Sequence, residues 1–177
     1  MRKIIILVAI LILFAAMYFF LGFYNVSATK PHSKVIEMVF HSISESSIKR
    51  NAKGVKNPYD VNDKEIYVKG FREYEEMCVQ CHGAPGIEPS ATGKGLNPKP
   101  PIFPEEELYE YTLEDIFWVT KNGVKMTGMP AYGPTHDDEV IWSIAIFLDK
   151  SRNLTEEEYK KLKDKFSETD HEHNHGD

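Results

Sequence analysis

The sequence predicts an all-α fold, in which a small helical domain follows a single apolar helix at the N-terminus. Residues 4–24 form one long apolar run. Apolar residues recur at helical spacing in several later segments, and no segment of useful length alternates apolar and polar residues as a half-buried strand does. At 177 residues the chain is long enough for one compact domain with accessory segments.

The N-terminal run is long enough to cross a membrane. About 20 residues at about 1.5 Å each span about 30 Å, the thickness of a bilayer core. Arg2 and Lys3 precede the run, which predicts a cytoplasmic N-terminus and a single pass through the cytoplasmic (inner) membrane. The rest of the chain would then lie on the periplasmic, extracytoplasmic side. Residues 1–28 are therefore interpreted as a transmembrane anchor, with a cleaved signal peptide as the alternative.

Composition divides the remaining residues into three parts. Residues 29–56 form a basic neck with a short amphipathic helix, interpreted either as a spacer or as a segment that lies on lipid or docks a partner. A flexible neck of about 30 residues would span about 30 Å. Residues 57–152 form the domain proper, and residues 153–177 form a charged helix with a His-rich tail. The net charge of −6 argues against nucleic acid as a partner.

Capping residues, glycines and prolines place the helices and loops of the domain. A Thr followed three residues later by an acidic residue is typical of a helix start, Asn-Gly ends a helix, and closely spaced prolines exclude regular helix. These signals predict a helix over 61–80, an extended proline loop over 83–104, a helix over 112–121 opened by Thr112 and Asp115, a Met-Pro loop over 124–134, a helix over 135–150 opened by Thr135 and Asp138, and a charged helix opened by Thr155 and Glu158.

The sequence Cys78-Val79-Gln80-Cys81-His82 carries the chemistry of the chain. Two cysteines three residues apart at the end of a helix face the same side, so both sulfurs can form thioethers with the vinyl groups along one porphyrin edge. His82 then lies beneath the iron and can ligate it. The chain has 2 cysteines, too few for a zinc site with two Cys pairs, and no strands for a thioredoxin-like context. The motif predicts one covalently bound haem c.

A sixth iron ligand is expected from the loop between the last two helices of the domain. The Gly-Met-Pro sequence at 128–130 gives Met129 a fixed and close approach to the haem. A thioether is a soft ligand that favours ferrous iron. We therefore predict His82 and Met129 as the two iron ligands, with Met126 as the alternative and a histidine such as His136 after it.

These features resemble class I monohaem cytochromes c, in particular the bacterial membrane-anchored members of that family. The resemblance covers about residues 61–150 and rests on Gly70, Tyr74, the Cys78–His82 motif and the Met129 turn. The neck, the charged last helix and the tail have no counterpart in the family core.

The resemblance implies two contacts around the haem. In the family, the first and last helices of the domain cross at near right angles, which would bring Gly70 against Phe147 or Ile144. A carbonyl of the proline loop, from Pro101 or otherwise Pro100, would accept a hydrogen bond from the second ring nitrogen of the histidine ligand. Such a bond fixes the orientation and basicity of the imidazole.

The ligand set predicts an electron carrier and not an enzyme, because an iron with both axial positions filled has no open site for a substrate. The expected partners are the lipid bilayer and redox proteins such as a quinol-oxidising complex and a terminal oxidase or reductase. The alternatives are a haem-bearing subunit of a larger membrane oxidoreductase and a five-coordinate haem sensor or peroxidase. His171, His173 and His175 form a candidate divalent-metal site, against the alternative of a solvated, disordered end.

Overall fold

The computed structural model describes residues 1–104 and 110–172, with side chains described as far as Phe166 in the last helix. These residues contain α-helices and no β-strand, so the predicted all-α fold is confirmed. They divide into two compact units, Met1–Pro31 and His32–Asp177. The helices are α1 (Arg2–Phe20), α2 (Lys34–Ala52), α3 (Lys64–Met77), α4 (Val79–His82), α5 (Ala91–Gly95), α6 (Leu113–Asn122), α7 (Asp138–Lys150) and α8 (Glu156–Glu172).

The first unit contains the apolar helix α1. An 18-residue window of α1 has a mean hydropathy of 2.7, and none of that window is buried. Its 19 residues span about 28 Å at 1.5 Å per residue. The helix therefore has the length and composition needed to cross a membrane, a description that a signal sequence also meets.

The neck holds a longer and more rigid helix than the sequence suggests. Ser33 caps the N-terminus of α2, which runs for 19 residues because no glycine or proline interrupts it. Its buried residues, Ile48 and Ala52, lie in its C-terminal half, which packs against α6. Tyr111, just before α6, donates a hydrogen bond to Glu45. The sequence predicted a short amphipathic helix in a flexible neck of about 30 residues, whereas the helix in the structure has 19 residues and contacts α6.

Helices α3 and α7 form the centre of the domain and approach each other most closely at Gly70. A Cβ atom on this residue would lie 1.9 Å from the carbonyl oxygen of Ser143 and 2.9 Å from Cβ of Phe147. Only glycine fits there, because any side chain would overlap the backbone of α7. The expected contact with Phe147 is confirmed, whereas the other nearest atoms belong to Ser143 and not to Ile144.

Aromatic side chains fill the core on both sides of α7. The first cluster joins α3, α7 and the proline segment, and its ring centroids are 5.4 to 5.9 Å apart in the pairs that touch. Its buried rings are Phe71, Tyr74, Phe103 and Phe147. The second cluster joins α6 to α7, where Phe117 stacks on Trp142 with a centroid distance of 3.9 Å. Both clusters hold α7 against the segments that carry the predicted site residues.

The last helix, α8, packs onto α3. It starts with the predicted capping pair: the Thr155 amide donates to the Glu158 carboxylate at 2.9 Å, and the Glu158 amide donates to Thr155 Oγ1 at 3.3 Å. The amide and the hydroxyl of Thr155 both donate to the Glu158 carboxylate and lower its pKa. Tyr159 is buried, its ring centroid lies 5.5 Å from that of Phe71, and its hydroxyl donates to Glu75 at 2.5 Å. The charged helix thus contributes to the core of the unit.

Two differences from the predicted helices concern the segment around the motif. The first domain helix begins at Lys64 and not at residue 61, because Asp63 caps it by accepting a hydrogen bond from the Glu65 amide at 2.8 Å. The predicted proline loop over 83–104 contains the short helix α5, which Ser90 caps. This helix lies before the closely spaced prolines, so they do not interrupt it.

The caps of α6 and α7 show one confirmed prediction and one error. Thr112 and Asp115 form the predicted capping box, with hydrogen bonds of 3.2 and 3.0 Å in the two directions. Helix α7 is capped by Asp137 and not by Thr135, because Asp137 accepts the Val140 amide at 2.9 Å. Thr135 instead donates to the Tyr132 carbonyl in the preceding turn, so α7 starts later than predicted.

Candidate haem site

Cys78 lies at the junction of α3 and α4 and Cys81 lies within α4, so the two cysteines of the motif are on one helical turn. The Cys78 amide donates to the Tyr74 carbonyl at 2.9 Å, which ends α3. The amides of Cys81 and His82 then both donate to the Cys78 carbonyl, at 3.0 and 2.9 Å. Both thiols are free. Cys78 is buried, which raises the pKa of its thiol to about 12, and Cys81 is half-buried.

His82 has a fixed ring orientation. Its Nδ1 lies 2.8 Å from the carbonyl oxygen of Pro101, and its own carbonyl accepts the Phe103 amide at 2.8 Å. A carbonyl can only accept, so Nδ1 carries the hydrogen and Nε2 carries the lone pair. Burial lowers the pKa of His82, against the opposing effect of the Pro101 hydrogen bond, and so favours the neutral ring. The imidazole therefore presents Nε2 as a metal ligand.

The loop between α6 and α7 holds Met129 in a hydrogen-bonded turn. Thr127 Oγ1 donates to the Val124 carbonyl at 2.8 Å and accepts the Met129 amide at 3.1 Å. The Met129 carbonyl in turn accepts the Val124 amide at 3.3 Å. Met129 is half-buried, whereas the Met126 side chain is 73% exposed. The turn thus fixes the backbone of Met129 and leaves the Met126 thioether in solvent.

Two glycines allow the loops to close around the motif. A Cβ atom on Gly93, in α5, would lie 2.8 Å from Cα of Cys81. A Cβ atom on Gly128 would lie 2.6 Å from Cδ2 of Leu96, just after α5. Helix α5 therefore packs directly on the backbone of the motif, and the methionine loop packs on the residue that follows this helix.

Two tyrosine hydroxyls tie the motif to its surroundings. Tyr74 is buried and donates to the Gly83 carbonyl, just after His82, at 2.7 Å. Tyr132, just after the methionine turn, donates to the Met77 carbonyl at 3.1 Å. Burial raises the pKa of both hydroxyls, so they stay protonated donors at neutral pH. The methionine loop is thereby bonded to the end of the helix that carries the cysteines.

The family model described as "Cytochrome C oxidase, cbb3-type, subunit III" matches residues 67–148. This stretch includes Cys78, Cys81, His82, Pro101 and Met129. The chain carries a class I c-type cytochrome domain. No curated protein matches the chain. The resemblance inferred from the sequence is thereby confirmed, and the cytochrome domain implies haem c with its iron and haem-based electron transfer.

The residues of this cytochrome domain fit a covalently bound haem. Two free thiols lie on one turn, and the adjacent imidazole has a free Nε2, which has no hydrogen-bond partner among the described residues. Within residues 1–104 and 110–172 no group of three or more His, Cys, Asp and Glu side chains could hold a metal ion. Two thiols and a neutral imidazole are the groups that would form thioether bonds to a haem and ligate its iron.

The other candidates predicted from the sequence have different partners or lie outside the described residues. The carbonyl of Pro100, the alternative acceptor for the His82 ring, is not the one that His82 bonds, because Nδ1 lies against the Pro101 carbonyl. His136 is engaged through Nδ1 with the Thr135 hydroxyl at 2.9 Å. Of the tail histidines, His173 and His175 lie outside the described residues, as does the side chain of His171. The roles of Cys78, Cys81, His82, Pro101 and Met129 as haem-site residues stay predictions.

Sequence reasoning missed Tyr132 and Gly93. The only signal for Tyr132 was its position shortly after the Met-Pro step, and nothing local pairs it with a carbonyl 55 residues away. Gly93 lies among other glycines in a segment interpreted as a loop, so its contact with Cys81 had no sequence signature.

Proposed function

We propose that this chain is a membrane-anchored cytochrome that binds a single haem through Cys78 and Cys81 and carries one electron at a time between membrane complexes. The main supporting observation is the hydrogen bond between His82 Nδ1 and the Pro101 carbonyl, which leaves Nε2 as a ligand beside two free thiols. When bound, the haem supplies an iron that alternates between the ferric and ferrous states. The residues of the chain hold it and fix its ligands.

Met129 is the proposed sixth ligand, with Met126 as the alternative. The half-buried position of Met129 and its hydrogen-bonded backbone support this choice, as does the exposure of Met126. A thioether ligand stabilises ferrous iron and raises the reduction potential. With His82 and Met129 both in place, no axial position is open to a substrate. This favours electron transfer over catalysis.

Helix α1 is the proposed anchor in the cytoplasmic membrane, with the haem domain on the periplasmic side. The apolar length of α1 and the basic residues Arg2 and Lys3 before it support this orientation. A reporter active only outside the cytoplasm, fused after Asp177, should be active, and the intact chain should stay in membranes through a high-salt wash. Release of a soluble chain that begins near Thr29 would instead identify α1 as a signal peptide.

The proposed partners are a quinol-oxidising complex and a terminal oxidase or reductase. The matched family is an oxidase subunit by its description, and this favours a second candidate function: a fixed haem subunit of one larger membrane oxidoreductase. Gentle solubilisation of native membranes separates the two. A fixed subunit co-migrates with its complex, whereas a mobile carrier separates from it.

A resting spectrum tests whether the protein is a carrier. The full chain, matured with haem and purified in detergent, should give a low-spin optical spectrum in both redox states and a low-spin EPR signal in the ferric state, because two strong iron ligands are expected. A high-spin ferric spectrum that responds to added cyanide or peroxide would contradict the carrier function and favour a five-coordinate sensor or peroxidase.

A further inference from the structure

The N-terminal half of α2 exposes an apolar stripe, and the ring of His32 lies 6.3 Å from that of its member Phe40. Successive residues of an α-helix are about 100° apart, so the stripe occupies an arc of about 140°. Three of its members, Val35, Val39 and Ile43, are 65%, 48% and 59% exposed. Ile36 and Phe40 complete the arc at 36% and 44% exposed.

The stripe points away from the rest of the domain. Ile48 and Ala52, the buried residues of α2, lie on the opposite side of the helix, about 120° to 180° from the middle of the stripe. Both acidic residues of α2, Glu37 and Glu45, lie on this domain side as well. The helix therefore presents one face to α6 and a separate, acid-free face to its surroundings.

The charges of the neck are opposite in sign to those of the rest of the chain. Residues 30–56 contain six basic residues against Glu37 and Glu45, a net charge of +4. The whole chain carries −6, so the remaining residues carry −10. Arg50 lies on the side of the apolar stripe, one to two turns beyond its end. The charge of Lys49 is partly offset by Glu45, because the two side chains form an ion pair at 3.7 Å.

We propose that the outward face of α2 lies on the surface of a bilayer rich in anionic phospholipid, with the stripe inserted among the acyl chains and the basic residues at the headgroups. Apolar residues along one side with a basic residue in line with them, here Arg50, suit an interfacial helix. Anionic headgroups attract the +4 neck and repel residues 57–177, which carry −12 when Arg2 and Lys3 of the anchor are set apart.

The tether strengthens this preference. Thirteen residues separate the end of α1 at Phe20 from the start of α2 at Lys34. Fully extended they reach about 45 Å. If α1 is anchored as proposed above, α2 therefore meets the surface at a high effective concentration, and even a short apolar stripe suffices. Because α2 packs on α6, its insertion would also fix which side of the haem domain faces the membrane.

Nitroxide labels on the full chain test this inference. One label replaces Val39 (Val39→Cys) at the centre of the stripe. The matched control replaces Glu37 (Glu37→Cys), two residues away and about 160° around the helix. The haem-bearing proteins are reconstituted in vesicles of phosphatidylcholine with or without phosphatidylglycerol. EPR power saturation then measures how accessible each label is to oxygen and to a nickel chelate. Each value is taken relative to the same sample under nitrogen, so that the relaxation caused by the haem cancels.

We expect the label at position 39 to be several-fold more accessible to oxygen than to the nickel chelate, and the label at position 37 to show the reverse. The contrast should increase with phosphatidylglycerol and decrease at high salt. Equal access of the chelate to both labels would overturn the inference, and so would a label at 39 shielded from both reagents, because that indicates a protein contact such as a second copy.

Flotation of the same vesicles separates this inference from the proposed anchoring. A chain that stays with the vesicles at high salt but carries a water-exposed label at position 39 would overturn the docking of α2 alone. A chain that leaves the vesicles at high salt would overturn the anchoring alone if its label at position 39 is protected from the chelate at low salt, and would overturn both inferences if that label is exposed there as well.

Discussion

Burial and backbone bonding separate the two methionines of the loop between α6 and α7. Met129 is half-buried in a turn fixed by Thr127, whereas Met126 is 73% exposed and has a φ of +62°, in the left-handed region. Sequence reasoning reached the same preference from the neighbouring glycine and proline. It could not measure the exposure, which depends on how the loop packs on Leu96.

Replacing Met129 should remove a ligand, whereas replacing Met126 should not. The oxidised protein should show the weak near-infrared band of sulfur-to-iron charge transfer. Met129→Ala should abolish this band, lower the reduction potential and shift the spectrum towards high spin, because a soft ligand is lost. Met126→Ala is the matched control and should leave the band in place. Loss of the band in the control alone would make Met126 the ligand.

The histidine shows what local sequence can and cannot predict at this scale. The spacing of the motif was sufficient to select His82, because the two cysteines and the histidine lie on a single turn. The choice between Pro101 and Pro100 rested on a resemblance, since it depends on how a segment 19 residues away folds back over the ring. A tertiary contact of this kind leaves no periodic signal in the sequence.

Helix boundaries were predictable where capping is local. The predicted pairs were confirmed for Thr112 with Asp115 and for Thr155 with Glu158. Within each pair, the side chain of each residue accepts a hydrogen bond from the backbone amide of the other, all within one helical turn. Thr135 has the same spacing to an acidic residue, yet Asp137 is the cap of α7. Thr135 and Asp137 are both candidate caps there. The Thr135 hydroxyl is used by the preceding turn, where it donates to the Tyr132 carbonyl, and Asp137 is left to cap the helix.

The crossing of α3 and α7 makes a prediction about stability. Gly70→Ala should destabilise the haem-bearing protein by about 1–3 kcal/mol or more, because the new Cβ would lie 1.9 Å from the Ser143 carbonyl oxygen and force the helices apart. Gly95→Ala is the control, since a Cβ there meets no atom within 4 Å. Its effect should stay within about 0.5–1 kcal/mol. Urea denaturation in detergent measures both, and equal stabilities would contradict the close crossing.

The attachment of α8 to α3 is testable through Tyr159. Tyr159→Phe keeps the ring against Phe71 but removes the hydrogen bond to Glu75, so we expect a loss of about 1–3 kcal/mol. The loss should be at the low end, because Lys163 still pairs with Glu75 at 2.6 Å. Tyr159→Ala should cost about 3–5 kcal/mol, because it also opens a cavity. Unfolding curves of both variants that match the unmodified protein would show that α8 is not part of the cooperative unit.

At the scale of the whole molecule, the order of segments was predictable and their rigidity was not. An apolar helix, a neck and a helical domain follow from composition alone. The neck was interpreted either as a spacer or as a segment that lies on lipid or docks a partner, with a short amphipathic helix in it. The structure shows a helix of 19 residues that contacts α6 and buries Ile48 and Ala52. Two buried residues in a mostly exposed helix leave little trace in the sequence pattern.

The central claim, one haem bound covalently through Cys78 and Cys81, is tested most directly by the intact mass of the denatured protein. The full chain, expressed with a c-type maturation system, should carry the mass of one haem that survives acid-acetone extraction. A chain with Cys78→Ser and Cys81→Ser should show only the polypeptide mass and no colour. Covalent haem on the doubly substituted chain would contradict the account. So would a polypeptide mass without haem for the unmodified chain expressed with the same maturation system.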